Sequence, residues 1–175
     1  MVDAAFEAFE DRTTLAFASA IDLSVFVNLN MKSPRKASNP IYKAFEIRRP
    51  LLGPANPLIA LSLNNIALTY TELGKLDKAY AKYDEAIHIR LSTKRDRTGN
   101  SYSNMSGLLL RIGKPDKAEG MVKRYPSLEH FTDKMFLITG NSRFSGDMVL
   151  LSRIRLSQGR LKDAVHLASK SLAFP

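Results

Sequence analysis

The stretch LNNIALTYTELGKLDKAYAKYDEAI, residues 63–87, contains two apolar helical patterns separated by one break at LGKLD, residues 73–77. Apolar residues recur every three or four positions on both sides of the break, which is the spacing of a helix with one buried face. Gly74 lies at the break and can adopt the positive φ that commonly ends a helix. A single helical hairpin cannot bury its apolar faces alone, so the pattern predicts that the hairpin is repeated.

The turn motif does recur along the chain. LGKLDKA at residues 73–79 is followed by IGKPDKA at 112–118 and, more loosely, by QGRLKDA at 158–164. Each copy places an alanine five residues after its glycine, where a small side chain allows two helices to approach closely. A weaker copy lies upstream, because YKAFEIR at 42–48 resembles DEAIHIR at 84–90 with an offset of 42 residues. Recurrence at this spacing is typical of a helical repeat array.

These residues resemble the tetratricopeptide repeat, in the longer variety of kinesin light chains. The match is strongest in the first full copy, at Leu63, Ile66, Ala67, Tyr70, Gly74, Ala79, Tyr83 and Ala86. Later copies keep Gly113, Ala118, Gly159 and Ala164. The resemblance spans roughly Ile41–Phe174 and implies an all-α fold, a right-handed superhelical solenoid of antiparallel helix pairs.

The pattern divides the chain into two parts. Residues 1–40 are predicted to be an N-terminal helical segment or a degenerate repeat, with helices near 3–20 and 21–31. Residues 41–175 are predicted to be the repeat array, interrupted by an irregular insertion at about 125–147. The apolar stretch around Asp22 is interrupted by polar residues, which favours a buried helix over a membrane span. The acidic opening segment lacks the cations of a secretion signal, so we expect a cytoplasmic protein with no membrane partner.

Nothing in the sequence predicts catalysis. There is no cysteine, the three histidines are far apart, and no glycine-rich stretch matches a nucleotide phosphate loop. We therefore expect no enzyme activity, no cofactor and no metal. The formal net charge of +9 leaves binding to RNA through a basic surface as one alternative. The sequence does not favour a nucleic-acid partner, however, because basic patches with interleaved aromatic residues are absent.

Candidate binding residues lie on the first helix of each pair, which lines the concave wall of such an array. The resemblance implies that Asn65 and Asn104, together with Asn64, hold the backbone of a partner peptide. Arg153 is added from its helix position, because a guanidinium group can bind a carboxylate with two hydrogen bonds. Leu150 takes the equivalent position in the third copy, which favours a short site over the first two copies.

The favoured function is therefore a non-catalytic module that binds a protein or peptide partner. The alternative from the same resemblance is a sensor or regulatory array associated with a nucleotide-switching signalling ATPase. The last helix is predicted to turn Leu161, Ala164, Val165, Ala168 and Leu172 inward. With no capping helix after it, we expect an exposed apolar strip or self-association through this helix.

Overall fold

The computed structural model describes residues 14–31, 33–93, 99–124 and 145–172, which form helices and contain no strand. The chain divides into two compact units, Met1–Asp96 and Arg97–Pro175. Unit 1 contains α1 (Leu15–Asn30), α2 (Pro34–Leu52), α3 (Pro57–Glu72) and α4 (Leu76–Ser92). Unit 2 contains α5 (Gly99–Arg111), α6 (Pro115–Lys123), α7 (Ser145–Ser157) and α8 (Leu161–Leu172). The prediction of an all-α fold is confirmed.

Helices pack in the same order in both units. Within each unit, every helix contacts the next one along the chain, and the first helix of one pair also contacts the first helix of the following pair, as α1 does with α3 and α5 with α7. The larger core cluster of unit 1 joins α1, α2 and α3 through the buried residues Phe17, Ala18, Ile21, Val25, Ile41, Ala44 and Ile66. The first two helices thus share a core with the repeat that follows them.

Small side chains lie where helices approach each other. Ala67, Ala79 and Ala86 in unit 1 are fully buried, as is Ala118 in unit 2. Interiors at native packing density have no space for added methylene groups beside such residues. The alanines therefore set how closely the helices of each pair can approach.

The three turn glycines adopt one geometry. Gly74, Gly113 and Gly159 have φ values of 72°, 72° and 75°. In each turn the N–H of the residue after the glycine donates to the carbonyl five residues earlier, at 2.8–2.9 Å (Lys75 to Tyr70, Lys114 to Leu109, Arg160 to Arg155). Backbone bonds of this kind satisfy carbonyls at the end of a helix. The recurring sequence motif therefore corresponds to a recurring local structure.

A matched pair of glycine substitutions in unit 2 should have opposite effects. An added Cβ at Gly113 or at Gly120 would meet no atom within 4 Å. The effect of each substitution on stability therefore depends only on the backbone conformation of that glycine. Gly113→Ala forces a Cβ into the left-handed region and should cost about 1–2 kcal/mol. Gly120→Ala, inside α6, should instead stabilise by about 0.5–1 kcal/mol. Urea unfolding followed by circular dichroism measures both changes, and shifts of the same sign would contradict this account.

The N-terminal region differs from the prediction in its helix boundaries. The helix α1 continues without a break across the boundary predicted between helices near 3–20 and 21–31, whereas residues 1–13 lie outside the described part. No glycine or proline interrupts α1, and Ser19 and Asn28 direct their side chains to carbonyls four residues earlier. Their polar groups are therefore satisfied without a helix break. The division predicted at residue 40 falls within α2.

The C-terminal helix is also oriented differently from the prediction. Ala164 is buried, but Leu161 and Val165 are 61% and 68% exposed, so their predicted inward packing is wrong. The reason is that α8 packs on α7 along the face that carries Ala164, which leaves the neighbouring face uncovered. An apolar strip is exposed here, whereas self-association through it stays a prediction.

Two further predictions concern the insertion and a membrane span. The insertion predicted at about 125–147 lies outside the described residues up to position 144. Within the described ranges, every helix is too short or too polar to cross a membrane.

Candidate peptide-binding site

The predicted binding residues fall into two groups. Asn64 and Asn65 lie on α3 in unit 1, whereas Asn104 on α5 and Arg153 on α7 lie in unit 2. Asn64 is buried, with 6% of its surface exposed. Asn65 and Asn104 are half-buried, and Arg153 is exposed. Burial leaves Asn64 little surface for a partner, so Asn65 is the more accessible of the two predicted asparagines in unit 1.

Asn65 contacts an acidic residue of the preceding helix pair. Its Nδ2 donates a long hydrogen bond of 3.4 Å to Oδ1 of Asp22 on α1. Its backbone carbonyl accepts a bond of 3.0 Å from the Thr69 hydroxyl. Asp22 precedes Asn65 by 43 residues, about one repeat. The polar faces of α1 and α3 therefore meet at this pair.

A buried arginine holds Asp22 from the other side. Nη1 of Arg48, on α2, lies 2.6 Å from Oδ2 of Asp22 and donates to the Ser62 hydroxyl at 2.8 Å. Nη2 of Arg48 donates to the Ser19 hydroxyl at 3.3 Å. The Arg48 side chain is 2% exposed and the Asp22 side chain 15%. A buried guanidinium is tolerated when it is paired and hydrogen-bonded, so this network ties together α1, α2 and α3.

A pair of tyrosines lies elsewhere on the contact between α2 and α3. The Tyr42 hydroxyl donates to the Tyr70 hydroxyl, and the two rings meet edge to face with centroids 6.2 Å apart. Burial raises the pKa of the Tyr42 phenol, and the bond to Tyr70 raises it further. The ammonium groups of Lys75 and Lys78 lie 5.9 and 6.0 Å from the Tyr70 ring centroid. Tyr42 therefore stays protonated and acts as a structural donor.

In unit 2 a short hydrogen bond lies next to Asn104. The hydroxyl of Ser103 donates to Oδ1 of Asp147 at 2.6 Å. Burial raises the pKa of Asp147, although the bond from Ser103 opposes this change. Asp147 lies in the first turn of α7, so the bond joins the first helices of the two pairs in unit 2. In unit 1, Asp22 on α1 is therefore bonded to Asn65 itself. In unit 2, Asp147 on α7 is bonded to Ser103, the residue that precedes Asn104.

A second charged cluster joins α6 to α7. Glu119 accepts from Arg155 on α7 at 2.6 Å, from Gln158 in the turn after α7 at 2.9 Å, and from Lys123 at 2.7 Å. Burial alone would raise the pKa of Glu119, but the bonds from Lys123, Gln158 and Arg155 outweigh it and lower the pKa to about 2. Arg155 lies four residues before its turn glycine, a position that Tyr70 and Leu109 hold in the other two copies. The cluster therefore replaces an apolar contact with an ionic one.

The acidic and basic partners in these networks are not among the site residues predicted from the sequence. In the sequence pattern Asp22 stands out only as an interruption in an apolar stretch. A signal for Arg48 was present, because the matching segments YKAFEIR and DEAIHIR both end in arginine, and Arg48 and Arg90 are both buried. An arginine repeated at a core-facing register indicates a structural role.

Across the described ranges, no three histidine, aspartate or glutamate residues are grouped so that they could hold a metal ion.

Known proteins share this architecture of glycine-linked helix pairs. The tetratricopeptide repeat family matches residues 58–125, which run from the second residue of α3 to just beyond the end of α6. A search of curated proteins by sequence found no match. The class of protein that the fold defines is therefore an α-helical repeat protein, of which residues 58–125 are similar to the tetratricopeptide repeat.

Solved structures of similar fold cover nearly the whole chain. One contains nearly identical TPR-like repeats of a Podosopora anserina protein assigned as a kinesin light chain, with 12% identity, a TM-score of 0.69, and coverage of 99% of this chain and 81% of that one. A single-residue variant of that protein has 13% identity and a TM-score of 0.72, and the match covers 99% of this chain and 81% of that one. BtubC (BKLC) from P. vanneervenii has 15% identity and a TM-score of 0.73, and the match covers 99% of this chain and 70% of that one. These structures confirm the predicted all-α solenoid fold of tetratricopeptide-like helix pairs.

Proposed function

We propose that this chain is a non-catalytic interaction module that binds an extended peptide segment of a partner protein on the first helices of its pairs. Asn65 is the central contact in unit 1, and Asn104 is its counterpart in unit 2. The observation that carries the proposal is a half-buried asparagine on α3 whose amide is held by a charged residue of α1. An amide offers both a donor and an acceptor, which suits the backbone of an extended chain.

Exposed apolar side chains beside this polar group support the proposal. Leu23 and Phe26, on α1, are 65% and 61% exposed. Phe26 lies one helical turn after Asp22, the residue that contacts Asn65, and Leu23 follows Asp22 directly in the sequence. Large apolar residues grouped on a surface commonly mark an interaction site. We therefore expect a partner peptide that combines backbone hydrogen bonds to Asn65 with apolar side chains on α1.

Unit 2 offers a different chemistry. Asn104 lies on α5, and Arg153, on α7, is exposed and positively charged. A guanidinium binds carboxylates more strongly than neutral acceptors. A partner segment on unit 2 should therefore carry an acidic residue.

Peptides selected from a random phage-displayed library on the intact protein provide the probe for the test. Asn65→Ala should weaken binding of the selected peptides about five- to tenfold, because one or two backbone hydrogen bonds are lost. Asn39→Ala, at an exposed asparagine on the second helix of its pair, is the matched control and should bind normally. Circular dichroism should show the same helical content for all three proteins. Equal affinity of Asn65→Ala and wild type would exclude this face of α3 as the binding site.

A further inference from the structure

We propose that Asp22, held in place by Arg48, is a positioning residue that orients the Asn65 amide so that Asn65 meets its partner as a hydrogen-bond acceptor. This inference rests on the proposed function, because it specifies how the same site recognises a peptide. Asp22 acts through Asn65 and not through its own contact with the peptide. Its role is therefore separable from that of a general stabilising residue.

The chemistry of the two side chains fixes the orientation. A carboxylate only accepts hydrogen bonds, whereas an amide donates from Nδ2 and accepts at Oδ1. Asn65 must therefore turn Nδ2 toward Asp22, as the 3.4 Å contact shows, and direct Oδ1 away from it. Among the described residues, none donates to this oxygen. The group that binds there must supply an N–H, and the backbone of an extended peptide supplies one at every second residue on the same side.

The Arg48 network explains why Asp22 can hold this role. Arg48 takes Oδ2 of Asp22 at 2.6 Å, which leaves Oδ1 for Asn65. The guanidinium is itself fixed by the hydroxyls of Ser62 and Ser19, on two different helices. Arg48 is buried and cannot touch a partner. Its effect on recognition reaches the peptide only through Asp22 and then Asn65.

A double-mutant cycle on the intact chain separates positioning from general stabilisation. With a phage-selected peptide as the probe, Asp22→Ala should weaken binding about three- to tenfold, the worth of one well-oriented hydrogen bond. In the Asn65→Ala background the same change should have no further effect, because residues in one network are not additive. Glu46→Ala, at an exposed glutamate of α2, makes the same change in net charge and should leave binding unaltered. If the loss of affinity in the double variant equalled the product of the losses in Asp22→Ala and Asn65→Ala, the two residues would act independently and the inference would be overturned.

The acceptor role of Asn65 has its own readout on the peptide. N-methylation at successive positions of the selected peptide removes one backbone N–H at a time. At one position it should weaken binding to the wild type but not to Asn65→Ala or Asp22→Ala. An N-methyl scan with no position that differs between wild type and Asn65→Ala would also overturn the inference.

A second variant covers the case in which Asp22→Ala does not fold. Asp22→Leu combined with Arg48→Met replaces the whole ion pair with apolar groups, which proteins commonly tolerate. This double variant should keep its helical content and lose peptide binding to the level of Asn65→Ala; full binding would overturn the inference. The proposed function fails separately, if Asn65→Ala itself binds the peptides normally.

Discussion

Replacing Arg48 with leucine should reduce the free energy of unfolding by about 3–5 kcal/mol, the typical cost of removing one partner from a buried ion pair. The substitution leaves the Asp22 carboxylate, which is 15% exposed, without its cation. It also leaves the buried Ser62 hydroxyl without its guanidinium donor. A charge that is removed from water and unpaired is among the most costly features a folded protein can contain. Arg48 therefore stabilises the folded state mainly because its removal would leave the Asp22 carboxylate unpaired.

The matched control removes both charges together. Asp22→Leu with Arg48→Met should cost much less than Arg48→Leu alone, about 1 kcal/mol, because no unpaired charge remains. Urea unfolding followed by circular dichroism compares the two variants. If the double variant were at least as unstable as Arg48→Leu, the network would stabilise unit 1 by packing alone, and the ionic account would be wrong.

The hairpins could be predicted from sequence because their determinants are local. The turn glycines, the alanine five residues later and the apolar period each act within one helix pair. Gly74 and Gly113 therefore adopt the same φ, and Ala79 and Ala118 are both fully buried. The break predicted near residue 20 had no such determinant, because no glycine or proline lies within α1. Ser19 and Asn28 form hydrogen bonds to carbonyls inside α1, and Asp22 pairs with Arg48 on α2.

The polar networks could not be predicted because they depend on the register between helices. Asn65 reaches Asp22 across 43 residues, and no local pattern specifies which side chains of two packed helices will meet. Neighbouring positions on a helix differ in direction by about 100°, so a small error in rotation exchanges buried and accessible residues. This is why Asn64 is buried although Asn65 is half-buried. It also explains why Leu161 and Val165 are exposed on α8.

Acid should weaken unit 2 through Glu119. Its pKa is lowered from an ordinary value of 4.5 to about 2, so the folded state favours the ionised form. A carboxylate of this kind contributes its full stabilisation above the unfolded pKa and loses it as the pH falls through the folded pKa. The contribution should therefore be complete above about pH 5 and disappear between about pH 5 and pH 2. Its expected size is about 2–3 kcal/mol, because one pKa unit corresponds to about 1.4 kcal/mol and nearby solvent screens part of the interaction.

Glu119→Gln tests this directly, because the amide keeps the shape of the side chain and cannot ionise. The variant should be less stable by about 2–3 kcal/mol at pH 7 and should approach the wild type at pH 2. Asp163→Asn is the control in the same unit, since Asp163 pairs with Arg160 on the surface of α8 with nearly half of its side chain exposed. An exposed pair is worth about 0–1 kcal/mol, so this control should follow the wild-type stability curve closely. Stability curves for Glu119→Gln and wild type that run parallel from pH 7 to pH 2 would show that Arg155, Gln158 and Lys123 do not hold Glu119 ionised.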